Sequence, residues 1–90
     1  MNLLTPYEMT IAVAKRFRAL RRSKKIKLKT LSTRSGVPYS TLRRFESTGE
    51  VSFAALVKLA SAIGEDDCIN SLFAEKIPES IEEVIRGNHK

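Results

Sequence analysis

The residues best equipped for chemistry fall in one short run, Tyr39-Ser40-Thr41-Leu42-Arg43-Arg44, directly after Gly36-Val37-Pro38. A phenol, two hydroxyls and two guanidinium groups supply hydrogen-bond donors, and arginine presents its donors as a planar fork suited to anionic oxygens and flat polar edges. This is the chemistry of binding. No nucleophile stands in a recognisable catalytic context, there is no glycine-rich phosphate loop, and the single histidine, His89, is next to the C-terminus. The single cysteine, Cys68, has no second thiol with which to form a disulfide or a metal cluster, and it reads as a small apolar group buried on a helix. The expectation is a chain without enzymatic activity, metal or cofactor.

Charge sharpens this. Residues 1–44 carry twelve bases (Lys15, Arg16, Arg18, Arg21, Arg22, Lys24, Lys25, Lys27, Lys29, Arg34, Arg43 and Arg44) against one acid, Glu8, which is +11. Residues 45–90 carry four bases against nine acids, which is −5, and the whole chain is +6. Such asymmetry concentrates positive potential on one part of the molecule and points to a polyanion, either nucleic acid or an anionic membrane surface. Lys15, Arg16, Arg18 and Arg22 read equally as a solvated helix face or as one near phosphate. No apolar stretch approaches the roughly 20 residues that cross a bilayer, and the start of the chain lacks the pattern of a signal peptide, so a cytoplasmic location is expected.

The elements that must position these residues follow from periodicity and caps. Ninety residues, 42% of them apolar, suit one core. Thr5-Pro6-Tyr7-Glu8 combines an N-cap threonine, a proline at the first helical position and a glutamate at the third, which predicts a helix running to about Arg22. Its inward stripe is read as Val13, Phe17 and Leu20. A second short helix begins with Leu28 and Leu31 and stops at Gly36. A third follows from Pro38 to Glu46 with Leu42 and Phe45 inward, and Ser47-Thr48-Gly49-Glu50 is read as a loop. Ser52 caps a fourth helix, with Phe53, Leu56, Val57, Leu59, Ala60 and Ile63 facing the core, and Gly64 ends it. Residues 66–73 predict a fifth, with Ile69, Leu72 and Phe73 as apolar positions. Phe17, Phe45, Phe53 and Phe73 are all assigned to the core. No strand-type alternation occurs, so the class is all-α. Residues 1–74 form the domain and 75–90 a tail, in which Ser80-Ile81-Glu82-Glu83 resembles a capping box for a turn or two.

Two short helices joined by a turn containing glycine form a helix-turn-helix unit, and residues 28–46 match it. A helix fits the major groove of duplex DNA, about 12 Å wide, while the preceding helix crosses the backbone above it. From Val13 to Phe73 the sequence resembles the XRE family of helix-turn-helix proteins, the group of phage Cro and lambda-type repressors. Leu20-Arg21, Leu31, Gly36-Val37, Ser40-Thr41-Leu42, Arg44-Phe45-Glu46 and Leu56-x-x-Leu59-Ala60-x-x-Ile63-Gly64 stand in the family's order. The resemblance implies a five-helix lambda-repressor-like fold in which helices 2 and 3 form the motif. It implies base reading by Tyr39, Ser40, Arg43 and Arg44 and a partly buried ion pair between Arg21 and Glu46, while phosphate contacts are expected from Lys27, Lys29, Thr41 and Thr48. Leu28 stands where the family usually has glutamine, Lys27 replaces the usual Ser/Thr cap, and the loop after Glu46 is about one residue short.

The expected function is therefore that of a sequence-specific transcriptional regulator, a repressor, bound as a homodimer to a palindromic operator. Helix 5 and the C-terminal segment are the expected dimer contacts. Two alternatives remain open: the antitoxin of a toxin–antitoxin pair, HipB-like, which also covers a toxin protein, and a protein–protein adaptor on the same fold whose basic half docks an acidic partner. Salt-dependent retention of random duplex DNA separates a DNA binder from an adaptor.

Overall fold

A computed structural model describes residues 3–74. The tail with its capping box at Ser80 and His89 lies outside the described residues. Among the described residues the chain is all-helical, with five helices and no strand: α1 Pro6–Ser23, α2 Leu28–Ser35, α3 Tyr39–Thr48, α4 Phe53–Ala62 and α5 Asp66–Asn70. None is long and apolar enough to cross a membrane.

Local chemistry accounts for the boundaries. The Thr5 hydroxyl accepts from the Glu8 amide at 3.1 Å while the Glu8 carboxylate accepts from the Thr5 amide at 2.9 Å, a closed capping box with Pro6 at the first helical position. Gly36 and Gly49 take left-handed conformations, φ +76° and +81°, and so end α2 and α3. The Ser52 hydroxyl caps α4 by accepting from the Ala55 amide at 3.1 Å. α3 is longer than the sequence predicts, because Ser47 and Thr48 complete its last turn and the loop begins only at Gly49.

The core is made of Ala14 and Phe17 from α1, Leu31 from α2, Val37 from the turn, Leu42 and Phe45 from α3, and Leu59, Ala60 and Ile63 from the end of the fourth element. The Phe17 and Phe45 rings meet edge to face at 5.3 Å between centroids, fastening α1 to α3. α2 packs on both α3 and α4, and α5 packs on α4.

Three assignments from the sequence are corrected. The buried face of α1 is Ala14, Phe17 and Arg21, whereas Val13 and Leu20 lie exposed. Hydropathy places an arginine outward, but a neutralised guanidinium turns the buried arc by one residue. Phe53 (61% exposed) and Phe73 (73% exposed) are not core. α4 leans on α2 and α5 rather than on α1, so Phe53 at its start borders an open apolar groove of about 310 Å³ with Met9, Val13 and Leu56, and Phe73 follows the end of α5. Cys68 is exposed rather than buried, its thiol 3.6 Å from the Glu65 carboxylate, because α5 shows only one side to α4.

Candidate nucleic-acid interface

The turn between α2 and α3 is tied from both sides. The Gly36 amide donates to the Ser32 carbonyl at 3.0 Å, the Ser32 hydroxyl donates to the Val37 carbonyl at 2.6 Å, and the Val37 amide donates to the Ser35 hydroxyl at 3.1 Å. Val37 is buried between the helices, and Pro38 supplies the first carbonyl of α3, which accepts from Leu42 at 3.0 Å. A turn with this many internal bonds fixes the angle at which α3 leaves α2.

On α3, Leu42 and Phe45 point inward, and Tyr39, Ser40, Arg43, Arg44 and Ser47 are exposed. At about 100° per residue, those five positions share an arc of about 140° opposite the buried pair. The Arg43 guanidinium lies over the Tyr39 ring, 6.0 Å from its centroid, so the two side chains are presented together. Beside this face a cleft of about 520 Å³ opens between α1, the start of α2 and α3, bordered by Arg18, Leu28, Ser40, Arg43, Arg44 and Ser47.

The inner edge of the face is held by Arg21. Its Nε donates to Glu46 Oε2 at 2.7 Å and its Nη2 to Glu46 Oε1 at 3.0 Å, a two-pronged pair in which the side chains are only 9% and 7% exposed. Arg21 Nη1 also donates to the Ile26 carbonyl at 2.7 Å. One guanidinium therefore joins α1, the link before α2, and α3.

A helix-turn-helix family model matches residues 17–67, more than half of the chain. The chain belongs to the helix-turn-helix family of the XRE type. No curated protein and no solved structure matches it. The family is one of DNA-binding regulators with the lambda-repressor-like fold, and DNA is accordingly the partner class. The matched span contains α2, the turn, α3 and Arg21.

Within this helix-turn-helix domain, Lys27 stands at the N-cap of α2 and Lys29 in its first turn, both exposed. No side chain caps that helix start and no acid stands in its first turn, so its amides and two lysines share one positive end. Leu28 lies between them, half-buried against the core, and so offers packing where the family usually places glutamine. Thr41 is half-buried on α3. Thr48 uses its hydroxyl inside the helix end, donating to the Arg44 carbonyl at 2.7 Å and accepting from the Glu50 amide at 3.2 Å. Arg44 is itself engaged, its Nη2 donating to Glu50 Oε1 at 2.6 Å.

The sequence leaves Arg18 undecided between a solvated face and one near phosphate, and it does not single out Glu50. Arg18 sits on the cleft with Ser40, Arg43 and Arg44, and its spacing of three from Arg21 is the signal that places it on the α3-facing side of α1. Glu50 gave no local signal, because its partner lies six residues away across a left-handed glycine.

Proposed function

We propose that this protein is a sequence-specific double-stranded DNA-binding repressor, without enzymatic activity, that acts as a homodimer on a palindromic operator. The observation that carries this reading is the exposed face of α3: Tyr39, Ser40, Arg43 and Arg44 stand on one arc beside a cationic cleft, with Lys27 and Lys29 at the neighbouring helix start. An arc of that width on a helix fits the major groove, where donor forks and hydroxyls meet base edges, while lysines at a helix start meet phosphate. A single motif covers few base pairs, and two-fold symmetry doubles the site. The exposed Leu72 and Phe73 after α5 give an apolar surface for such pairing.

The test is a salt series of dissociation constants on an operator selected from randomised duplexes and on random duplex. Tyr39→Ala or Arg43→Ala costs about 1–3 kcal/mol on the operator and much less on random duplex. A full specific-to-random ratio in both variants removes α3 as the reader. Sedimentation of the free chain and of its DNA complex tests the dimer, and a strict monomer in both removes the palindrome.

The antitoxin reading is favoured by one observation, the apolar groove at Met9, Val13, Phe53 and Leu56, which lies between α1, α4 and the inward, Phe45 side of α3, away from the exposed face that carries Tyr39, Ser40 and Arg43. Co-purification with the product of an adjacent toxin gene tests it. A complex abolished by Phe53→Asp, with DNA binding retained, supports that reading, and one insensitive to Phe53 removes the groove from it.

A further inference from the structure

We propose that Glu50 is a positioning residue for base reading: it holds the Arg44 guanidinium at the outer edge of α3 so that the remaining donors address a guanine in the major groove. This rests on the DNA-binding reading and goes beyond it, since it names a residue that contacts no base and the base its partner selects.

The geometry is a closed loop. Arg44 Nη2 donates to Glu50 Oε1 at 2.6 Å, the Arg44 carbonyl accepts from the Thr48 hydroxyl at 2.7 Å, and the same hydroxyl oxygen accepts from the Glu50 amide at 3.2 Å. Gly49, between them, is left-handed, and a Cβ added to it would stand 2.9 Å from the backbone carbon and oxygen of Thr10. The chain that carries Glu50 is thus seated against α1 and bonded to the helix that carries Arg44, and its carboxylate is delivered by the fold.

An arginine free in solvent loses rotamer freedom when it docks, whereas one already gripped by a carboxylate loses less. One Nη2 donor goes to Glu50, which leaves guanidinium donors in the same plane. Two of them match the O6 and N7 acceptors of guanine, the pairing that arginine forms most specifically. A lone carboxylate near DNA otherwise only repels phosphate. Both side chains are about two-thirds exposed, 66% and 64%, so the pair is reachable by a base edge.

The two effects of Glu50 have opposite signs on different DNAs, which makes them separable. Glu50→Ala, Arg44→Ala and the double variant are titrated on an operator selected from randomised duplexes and on random duplex of equal length, each across a salt series. The expected result is that Glu50→Ala weakens operator binding by about fivefold, the upper range of an exposed ion pair. On random duplex it strengthens binding by about twofold and steepens the salt slope by up to about one counterion. The preference for guanine at one operator position falls with it, and Glu50→Gln, which keeps an acceptor oxygen, restores part of that preference. In the Arg44→Ala background, Glu50→Ala no longer weakens operator binding.

Equal strengthening on both DNAs makes Glu50 a mere competitor for Arg44 and overturns the proposal, as does an unchanged operator affinity. Loss of operator affinity that persists without Arg44 overturns it too. Wild-type protein that shows no salt-dependent retention of any duplex overturns the DNA-binding reading and this proposal together. Wild-type binding with a neutral Glu50→Ala overturns the proposal alone.

Discussion

Two arginine–glutamate pairs flank the polar face of α3, and they differ in everything except chemistry. Arg21–Glu46, on the inner edge, is a two-pronged pair almost closed to solvent, with a third bond from Arg21 to the Ile26 carbonyl. Arg44–Glu50, on the outer edge, rests on a single contact in open water. Desolvation offsets much of the attraction in a buried pair, and what remains is geometric: breaking it strands a charge, so α3 is held at one setting. An exposed pair holds nothing so firmly, and its arginine stays available to a ligand. Burial thus divides one type of bond into a fixture of the fold and an adjustable part of the site.

The comparison breaks most readily at the inner pair. Arg21→Met alone is expected to lower stability by about 3 kcal/mol in urea unfolding, because Glu46 is left charged and unpaired in a nearly closed site. Arg21→Met with Glu46→Leu recovers most of that loss, and simple additivity in the double-mutant cycle means that the two residues are not coupled.

The glycine before the outer pair comes next. Gly49→Ala is expected to cost about 2 kcal/mol and Gly36→Ala about 1 kcal/mol, since both are left-handed but only Gly49 has backbone where a Cβ would go. Equal losses in chemical denaturation show that the Thr10 contact yields.

Arg18 sharpens the contrast from the side of α1. Arg18→Ala lowers the salt slope of DNA binding by about one counterion and leaves the unfolding midpoint in place, whereas Arg21 variants move the midpoint. An unchanged slope makes Arg18 a solvated residue. Glu50→Ala, at the outer pair itself, changes stability by less than about 0.5 kcal/mol. A larger loss means that the outer pair is structural after all.

The smallest effect concerns the far end of α1. Hydrogen bonds from the Thr5 backbone and side chain hold the Glu8 carboxyl below its ordinary value of 4.5. A lowered folded value places the stabilisation above the unfolded value and removes it as pH falls through the folded one. Glu8→Gln therefore differs from the parent at neutral pH and converges with it in acid, and a constant difference across pH removes the carboxylate from the cap.

Much of the architecture was readable in the chain because local rules wrote it. The Thr5-Pro6-Tyr7-Glu8 cap, the Ser52 cap and the stops at Gly36 and Gly64 each depend on a few neighbouring residues. Leu42 and Phe45, three apart, marked the inward side of α3 and so its outward one. Phe53 was misread because hydrophobicity states that a side chain leaves water when a surface is offered, and α4 meets α2 and α5 instead of α1. Val13 and Leu20 failed for the complementary reason: Arg21 took the place inside.

By itself, then, the sequence determined the helices, the capped starts of α1 and α4, the stop at Gly36, the basic half of the chain and the family, all properties of short-range geometry and composition, whereas α3 runs on to Thr48 and α5 already ends at Asn70. Tertiary structure decided which cations stand free and which are engaged. Arg18, Arg21 and Arg44 are chemically alike in the chain, yet one lines a cleft, one is closed in with Glu46 and one is gripped by Glu50. Coulomb attraction depends on distance and on exclusion of water, and both are set only when α1 and the loop after α3 are brought against the same helix.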